Sequence, residues 1–269
     1  MSDLQFAIDE GVATLTMNRP AARNALSTSM RDEFARIVPQ LARDKAIRAV
    51  ILTGEGGTFC AGGDLRGMAE ARPTMNIETW RERMLDVQPW LRQLVLLDKP
   101  LIAAVDGFAF GAGFSLALMA DFVLATPRAR FCLSFMRVGL GPDFAAMYTL
   151  PRIVGVQRAK ELMLTAREVP ADEALRLGIA MELVPPEGLM ERARALARSF
   201  VGASPVATAL IKRDVGMSLA TDLHGLLSLE ADHQAMCFET PYQAEAVNRF
   251  LNKQPAMFQW PAADTSKKE

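Results

Sequence analysis

The chain has 269 residues, half of them hydrophobic and 23% charged, with 30 Lys plus Arg against 31 Asp plus Glu and a net charge of −1. That balance excludes a disordered polyelectrolyte, which carries fewer apolar residues and more net charge. It also leaves no basic surplus to neutralise nucleic-acid phosphates. A chain this long buries enough apolar surface to fold as one large domain, with or without an appendage, and needs no disulfide or metal staple. Cys60, Cys132 and Cys237 are odd in number and widely spaced, which indicates neither a zinc site nor a disulfide framework and fits a reducing compartment. Residues 1–6 lack the basic and apolar regions of a secretory signal. The longest apolar stretch, 107–120, contains glycines and a serine and stops at Asp121, too short for a membrane span. A cytoplasmic protein is expected.

In chain order, 12–17 predicts a strand closed by Asn18-Arg19-Pro20. A helix is predicted over 27–42, with Ser27 as N-cap and Met30, Phe34, Ile37, Val38 and Leu41 at helical spacing. The runs 49–53, 101–105 and 122–125 predict strands; the first shows no polar alternation, as burial on both faces requires. Between the last two, 113–120 predicts a buried helix. The charged helical stretch 65–97 is broken at Arg72-Pro73 and reads either as a solvated surface helix or as a flap over a site. After about Pro185 the β signal ends, and helices are predicted over 189–200, 205–220 and 223–238, with Leu223, Leu226 and Leu227 as an apolar stripe on the last. This order predicts an α/β fold. The division expected is a core over 1–195, a C-terminal helical subdomain over 196–260 and a disordered tail over 261–269.

Several chemistries are excluded by what is missing. His224 and His233 are nine apart and do not share a helix face at metal-pair spacing. A Ser-His-Asp triad therefore has few candidates for its base. No GxxxxGK[ST] loop is present, and no GxGxxG follows a strand. Two glycine-rich turns remain, 54–65 and 106–113, each directly after a predicted strand and before a helix. Either they are tight turns needing glycine for φ > 0, or their main-chain N–H groups converge to bind an oxyanion. A third segment, 135–144, carries Asp143 after Pro142. It reads either as a helix N-cap or as a carboxylate base whose pKa is raised by Phe135, Met136, Leu140 or Phe144.

Taken together, Arg19-Pro20 with Arg23-Asn24-Ala25-Leu26, the run 59–65, the run 106–113, Ala120-Asp121-Phe122, the stretch 139–155, and Ala171-Asp172-Glu173-Ala174 with Leu177-Gly178 resemble the crotonase (enoyl-CoA hydratase/isomerase) superfamily over about residues 4–258. The resemblance implies a spiral of repeated ββα units with a C-terminal helical part that builds trimers, often paired into hexamers. It implies an acyl-CoA thioester substrate, coenzyme A being part of the substrate and no separate cofactor or metal being needed. The thioester oxygen would be held by the backbone N–H groups of Gly63 and Ala112. Ala61 and Leu65 match positions that line the adenine pocket, and Asp64 between them is counted with the substrate-binding residues. Arg23 and Ala25 match a segment beside the CoA chain. From residue type, Phe108, Phe110, Phe114, Phe135, Met136 and Met147 read either as an apolar acyl pocket or as plain core, and Leu140 is counted with the substrate-binding residues. Phe250, Lys253 and Phe258 resemble a C-terminal element that reaches a neighbouring subunit's CoA.

The departures from the family pattern sharpen the expectation. Ser115 and Phe135 stand where hydratases carry the two glutamates that activate water. Asp143, in Gly139-Leu140-Gly141-Pro142-Asp143, matches the acid/base of isomerase members with a Gly-Leu-x-Pro-Asp motif. The same position carries the nucleophile of the aryl-CoA dehalogenases, but that branch also uses a flap histidine, and no histidine precedes His224. The expected activity is an acyl-CoA isomerase that shifts a C=C bond, either Δ3 to Δ2 in an enoyl-CoA or a related ring or epoxide isomerisation. The alternatives are a hydratase or hydrolase in which Asp143 activates water, and a non-catalytic acyl-CoA-binding member.

Overall fold

The computed structural model describes residues 2–262. Two strands, β1 (Leu4–Asp9) and β2 (Val12–Met17), pair antiparallel through a turn at Glu10-Gly11 and lead into α1 (Thr28–Arg43). The Ser27 hydroxyl caps α1 by accepting from the Met30 N–H at 3.0 Å, as the sequence predicts. Strand β3 (Ala49–Gly54) follows. The charged stretch then forms three short helices rather than one, α2 (Leu65–Ala71), α3 (Ile77–Leu85) and α4 (Gln88–Val95). Next come β4 (Leu101–Val105), β5 (Phe108–Phe110), α5 (Ala112–Ala117), β6 (Phe122–Ala125) and β7 (Arg130–Cys132). Two helices, α6 (Ala146–Val154) and α7 (Val156–Thr165), precede β8 (Val169–Pro170), α8 (Ala171–Arg176) and β9 (Glu182–Leu183). The chain closes with α9 (Leu189–Ser199), α10 (Pro205–Met217), α11 (Leu223–Phe238) and α12 (Pro241–Leu251).

The strands form a six-stranded sheet in the order β1-β2-β3-β4-β6-β9, parallel from β2 onward, and a smaller sheet β5-β7-β8. Side chains alternate across the large sheet, and both of its faces are buried. Val50, Leu52, Ala103 and Val105 join α1 and α4 in one cluster, while Ala49, Ile51, Ile102 and Ala104 face Leu189, Ala193 and Leu196 of α9 in the other. That is why these runs read as unbroken apolar sequence. Twice in succession the chain passes from the large sheet to the small one, β4 to β5 and then β6 to β7. These steps wind it into the expected spiral, an α/β fold with a helical C-terminal region.

The division expected at 195/196 falls inside α9, whose Leu196 and Ala197 are completely buried against the sheet. Beyond it, Phe200 stacks on Phe122 with ring centroids 5.7 Å apart and meets Phe258 at 5.6 Å. Of the expected tail, Pro261 and Ala262 accept hydrogen bonds from Arg192 at 3.1 and 3.0 Å; residues 263–269 lie outside the described residues.

Candidate active site

Both glycine-rich turns leave the same edge of the large sheet, at the C-terminal ends of β3 and β4. Backbone hydrogen bonds then lay three segments side by side. Cys60 N–H donates to the Phe108 carbonyl and Phe110 N–H to the Cys60 carbonyl, both at 2.9 Å. On the other flank, Ala61 N–H donates to the Arg23 carbonyl at 2.9 Å and Leu26 N–H to the Gly62 carbonyl at 2.8 Å. The approach is too close for side chains. A Cβ on Gly62, whose φ is +96°, would stand 2.7 Å from the Phe110 carbonyl oxygen and 3.4 Å from the Ala112 nitrogen. A Cβ on Gly113 would stand 2.3 Å from the Cys60 carbonyl oxygen.

This packing sets residues 62–63 against 110–112. Ala112 opens α5, so its N–H has no carbonyl one turn earlier. Among the described residues, neither the Gly63 nor the Ala112 N–H donates a hydrogen bond to a backbone carbonyl. Asn24, which the sequence reading left out of the site, holds the first turn in place. It is fully buried at a left-handed φ of 56°. Its Nδ2 donates to the Glu55 and Thr58 carbonyls at 2.8 and 2.6 Å, and its Oδ1 accepts from Arg19 N–H at 2.8 Å. The second turn is braced through Asp106, which accepts from Thr126 Oγ1 at 2.8 Å and Arg128 Nε at 2.6 Å. Within the first turn, burial pushes the Cys60 thiol up to about 12, which makes it a poor nucleophile.

The N-cap alternative for Asp143 fails. Helix α6 starts after Ala145, whose side chain caps nothing, and Phe144 and Ala145 both adopt left-handed backbone at φ 51° and 60°. The Asp143 side chain makes no hydrogen bond among the described residues, and its Oδ1 is buried without a partner. Burial pushes its pKa up to about 6, against the opposing pull of its own N–H and of the positive Arg31. The next side chain, Phe144, is buried edge-on to Trp90 at 5.7 Å, and Trp90 stacks on Phe34 of α1 at 5.0 Å. The residue after Asp143 is thus anchored in an aromatic stack, and α6 lies beside α5, which Ala112 opens.

The other expected residues fall into two groups. Arg23, Ala25, Ala61, Gly63, Asp64, Leu65 and Ala112 come together along the three segments. The Arg23 guanidinium lies 5.6 Å over the Phe108 ring, and the Ala25 carbonyl accepts from Arg19 at 2.7 Å. The Asp64 carboxylate is occupied structurally: it caps α2 through Gly67 N–H at 3.2 Å and pairs with Arg19 at 3.1 Å, which lowers its pKa. Phe135 is buried with its Cζ 3.9 Å from where a Gly111 Cβ would be, whereas Met136 and Leu140 are about half exposed. Ser115 is sealed inside α5, its hydroxyl donating to the Gly111 carbonyl at 3.2 Å. Phe250, Lys253 and Phe258 do not join the site within this chain. Phe258 sits with Phe200 and Phe122 at the start of β6, the opposite end of the parallel strands from both turns.

Among the described residues, no group of three His, Cys, Asp or Glu side chains is placed to hold a metal ion. No helix among them is long and apolar enough to cross a membrane. The sequence model of the enoyl-CoA hydratase/isomerase family matches residues 7–261. A short-chain-enoyl-CoA hydratase of Clostridium acetobutylicum is 37% identical over 243 residues, 90% of this chain and 92% of that protein. A 1,2-epoxyphenylacetyl-CoA isomerase of Escherichia coli is 36% identical over 253 residues, 93% of this chain and 96% of that protein. The crystal structure of an enoyl-CoA hydratase/isomerase from Cupriavidus metallidurans superposes with a TM-score of 0.92 at 41% identity, covering 98% of this chain and 99% of the other. With the spiral fold, the converging turns and this match over nearly its whole length, the chain belongs to the enoyl-CoA hydratase/isomerase family of the crotonase superfamily.

Proposed function

We propose that the protein is an acyl-CoA isomerase in which Asp143 is the acid/base and the N–H groups of Gly63 and Ala112 hold the thioester oxygen. The observation that carries this reading is the partly buried Asp143 carboxylate, whose Oδ1 is enclosed without a partner and whose pKa burial raises to about 6. Ionised, it removes a proton from the α-carbon of a β,γ-unsaturated thioester. The electron pair moves into the thioester as an enolate, whose oxygen takes hydrogen bonds from the two main-chain donors. Each such donor contributes on the order of 3 kcal/mol to lowering the barrier. The same proton returns at the γ-carbon, so the C=C bond moves to the α,β position and no atom is gained or lost. Binding of the CoA portion along 23–25 and 61–65 positions the acyl group.

Asp143→Asn keeps the shape and removes the base. On a panel of 3-enoyl-CoA esters we expect turnover to fall by about 10²-fold or more, with the wild-type product equal in mass to its substrate. Undiminished turnover in the variant would remove Asp143 from the mechanism. The similarity to a hydratase at 37% identity favours a second reading, in which Asp143 alone activates water. A product one water heavier than the substrate would decide for it. Ser115, enclosed in α5 with its hydroxyl bonded to Gly111, is no water-activating acid or base. To the same reading belong a homotrimer, or a hexamer made of two trimers, and a cytoplasmic location. The exposed Leu219, Leu223, Leu227, Phe250 and Leu251 support the first, and three free thiols the second.

A further inference from the structure

A cavity of about 220 Å³ is lined by Arg31, Asp32, Arg83, Asp86, Val87 and Trp90, among others. Trp90 is the ring against which Phe144, the residue after Asp143, packs edge-on, and Arg31 lies close enough to Asp143 for each charge to act on the other. Two guanidiniums line the cavity. Arg31 comes from the first turn of α1, Arg83 from the last turn of α3.

Neither guanidinium has an ion-pair partner among the described residues. Arg31 hydrogen-bonds only to the Ser27 carbonyl at 3.4 Å and to Thr28 Oγ1 at 3.0 Å. Arg83 lies over the Trp80 ring at 5.6 Å. Each therefore has N–H donors left over. Their mutual repulsion is felt: Arg83 lowers the pKa of Arg31, second only to burial and ahead of the opposing effects of Asp32, Asp143 and Asp64. Asp32 and Asp86 also line the cavity, but both are exposed to solvent whereas Arg31 and Arg83 are partly buried. Two partly buried cations brought together without a bridging anion leave their charge and donors for something else to satisfy.

We propose that this cavity is the far end of the acyl chamber and takes the terminal carboxylate of an ω-carboxyacyl thioester, held between Arg31 and Arg83. The inference rests on the acyl-CoA reading above and names its substrate class. A carboxylate matches the planar fork of a guanidinium in two parallel hydrogen bonds, which an ammonium or a methyl terminus does not.

The test is calorimetric binding of adipyl-CoA against hexanoyl-CoA. Both are saturated, so neither is open to isomerisation, and their CoA portions are identical. The wild-type protein is expected to bind adipyl-CoA about tenfold tighter or more. Arg83→Met and Arg31→Met are each expected to remove most of that preference while leaving hexanoyl-CoA binding within about twofold. Arg83→Lys, which keeps the charge and the packing, is expected to retain part of it and serves if the methionine variant does not fold. Equal binding of the two esters by the wild type overturns the inference. So does a preference that survives both methionine changes. Equal weakening of both esters in Arg83→Met also overturns it, because the guanidiniums then serve the CoA phosphates. Absence of binding by both esters and by free CoA overturns the acyl-CoA reading itself, and this inference with it.

Discussion

A carboxyl group that loses its proton near pH 6 is half-charged inside the range where a base is useful. Asp143 owes that value to burial, and the same burial makes it a liability for the fold. The folded chain keeps the Asp143 proton up to about pH 6, whereas an ordinary aspartate releases it at 3.8. Between these values the folded state binds more protons than the unfolded one, so stability falls as pH rises through the window, and the cost stays in place above it. Asp143→Asn carries no charge to desolvate. Its stability relative to wild type is expected to be up to about 3 kcal/mol higher above pH 6 and nearly unchanged below about pH 4. Denaturant melts of both proteins across that range check it. Activity runs the opposite way: kcat/KM of the wild type is expected to rise with pH and level off above about 6, because only the ionised form is a base. Residue types alone left Asp143 open between cap and base, and the resemblance through its Gly-Leu-x-Pro-Asp setting chose the base. Nothing in the residue types of Phe144 and Ala145 announces two consecutive left-handed residues, and these are what shift the helix start past Asp143.

At the scale of single elements, Asn24 shows how a turn is kept in shape. Its side chain satisfies two carbonyls of the first glycine turn and ties them to Arg19. Asn24→Ala removes three hydrogen bonds and leaves the Glu55 and Thr58 carbonyls and the Arg19 N–H without this partner. The expected loss is about 3 kcal/mol of stability. Turnover should fall at least about tenfold at temperatures where the variant is still folded, because the Gly63 donor shifts. Thermal melts and steady-state kinetics on the same sample read both. The elements legible in the sequence were those with enough residues to display a period. The runs 49–53, 101–105 and 122–125 return within a residue because both faces are apolar, and the helix predicted over 27–42 returns as Thr28–Arg43 with its cap. Strands β5, β7, β8 and β9 have two or three residues each, too few for alternation to register, and exist because the spiral places a partner beside them. Arg31 and Arg83 were not legible as a pair. They lie on different helices, and only the folding of the charged stretch into three short helices brings them to one cavity.

For the whole molecule, the two ends of the parallel strands have separate duties. The C-terminal ends carry the glycine turns. At the opposite ends Phe122, Phe200, Phe258 and Trp260 gather the last described residues against the sheet. The outer helices α10 to α12 leave Leu219, Leu223, Leu227, Phe250 and Leu251 open to solvent. If copies of the chain cover this surface, Leu223→Glu combined with Leu227→Glu is expected to lower the mass in sedimentation to that of a single chain while the far-ultraviolet spectrum stays unchanged. Retention of the wild-type mass would free that stripe from any role in assembly. The two open amides at 63 and 112 have a different consequence. In the role proposed for them, what they offer a ligand is identical for every amino acid except proline, so a library that exchanges side chains would record these positions only through steric tolerance. Their electrostatic part would go unseen in such a survey. It becomes visible when the nitrogen itself is exchanged for oxygen, an ester linkage built into a semisynthetic chain.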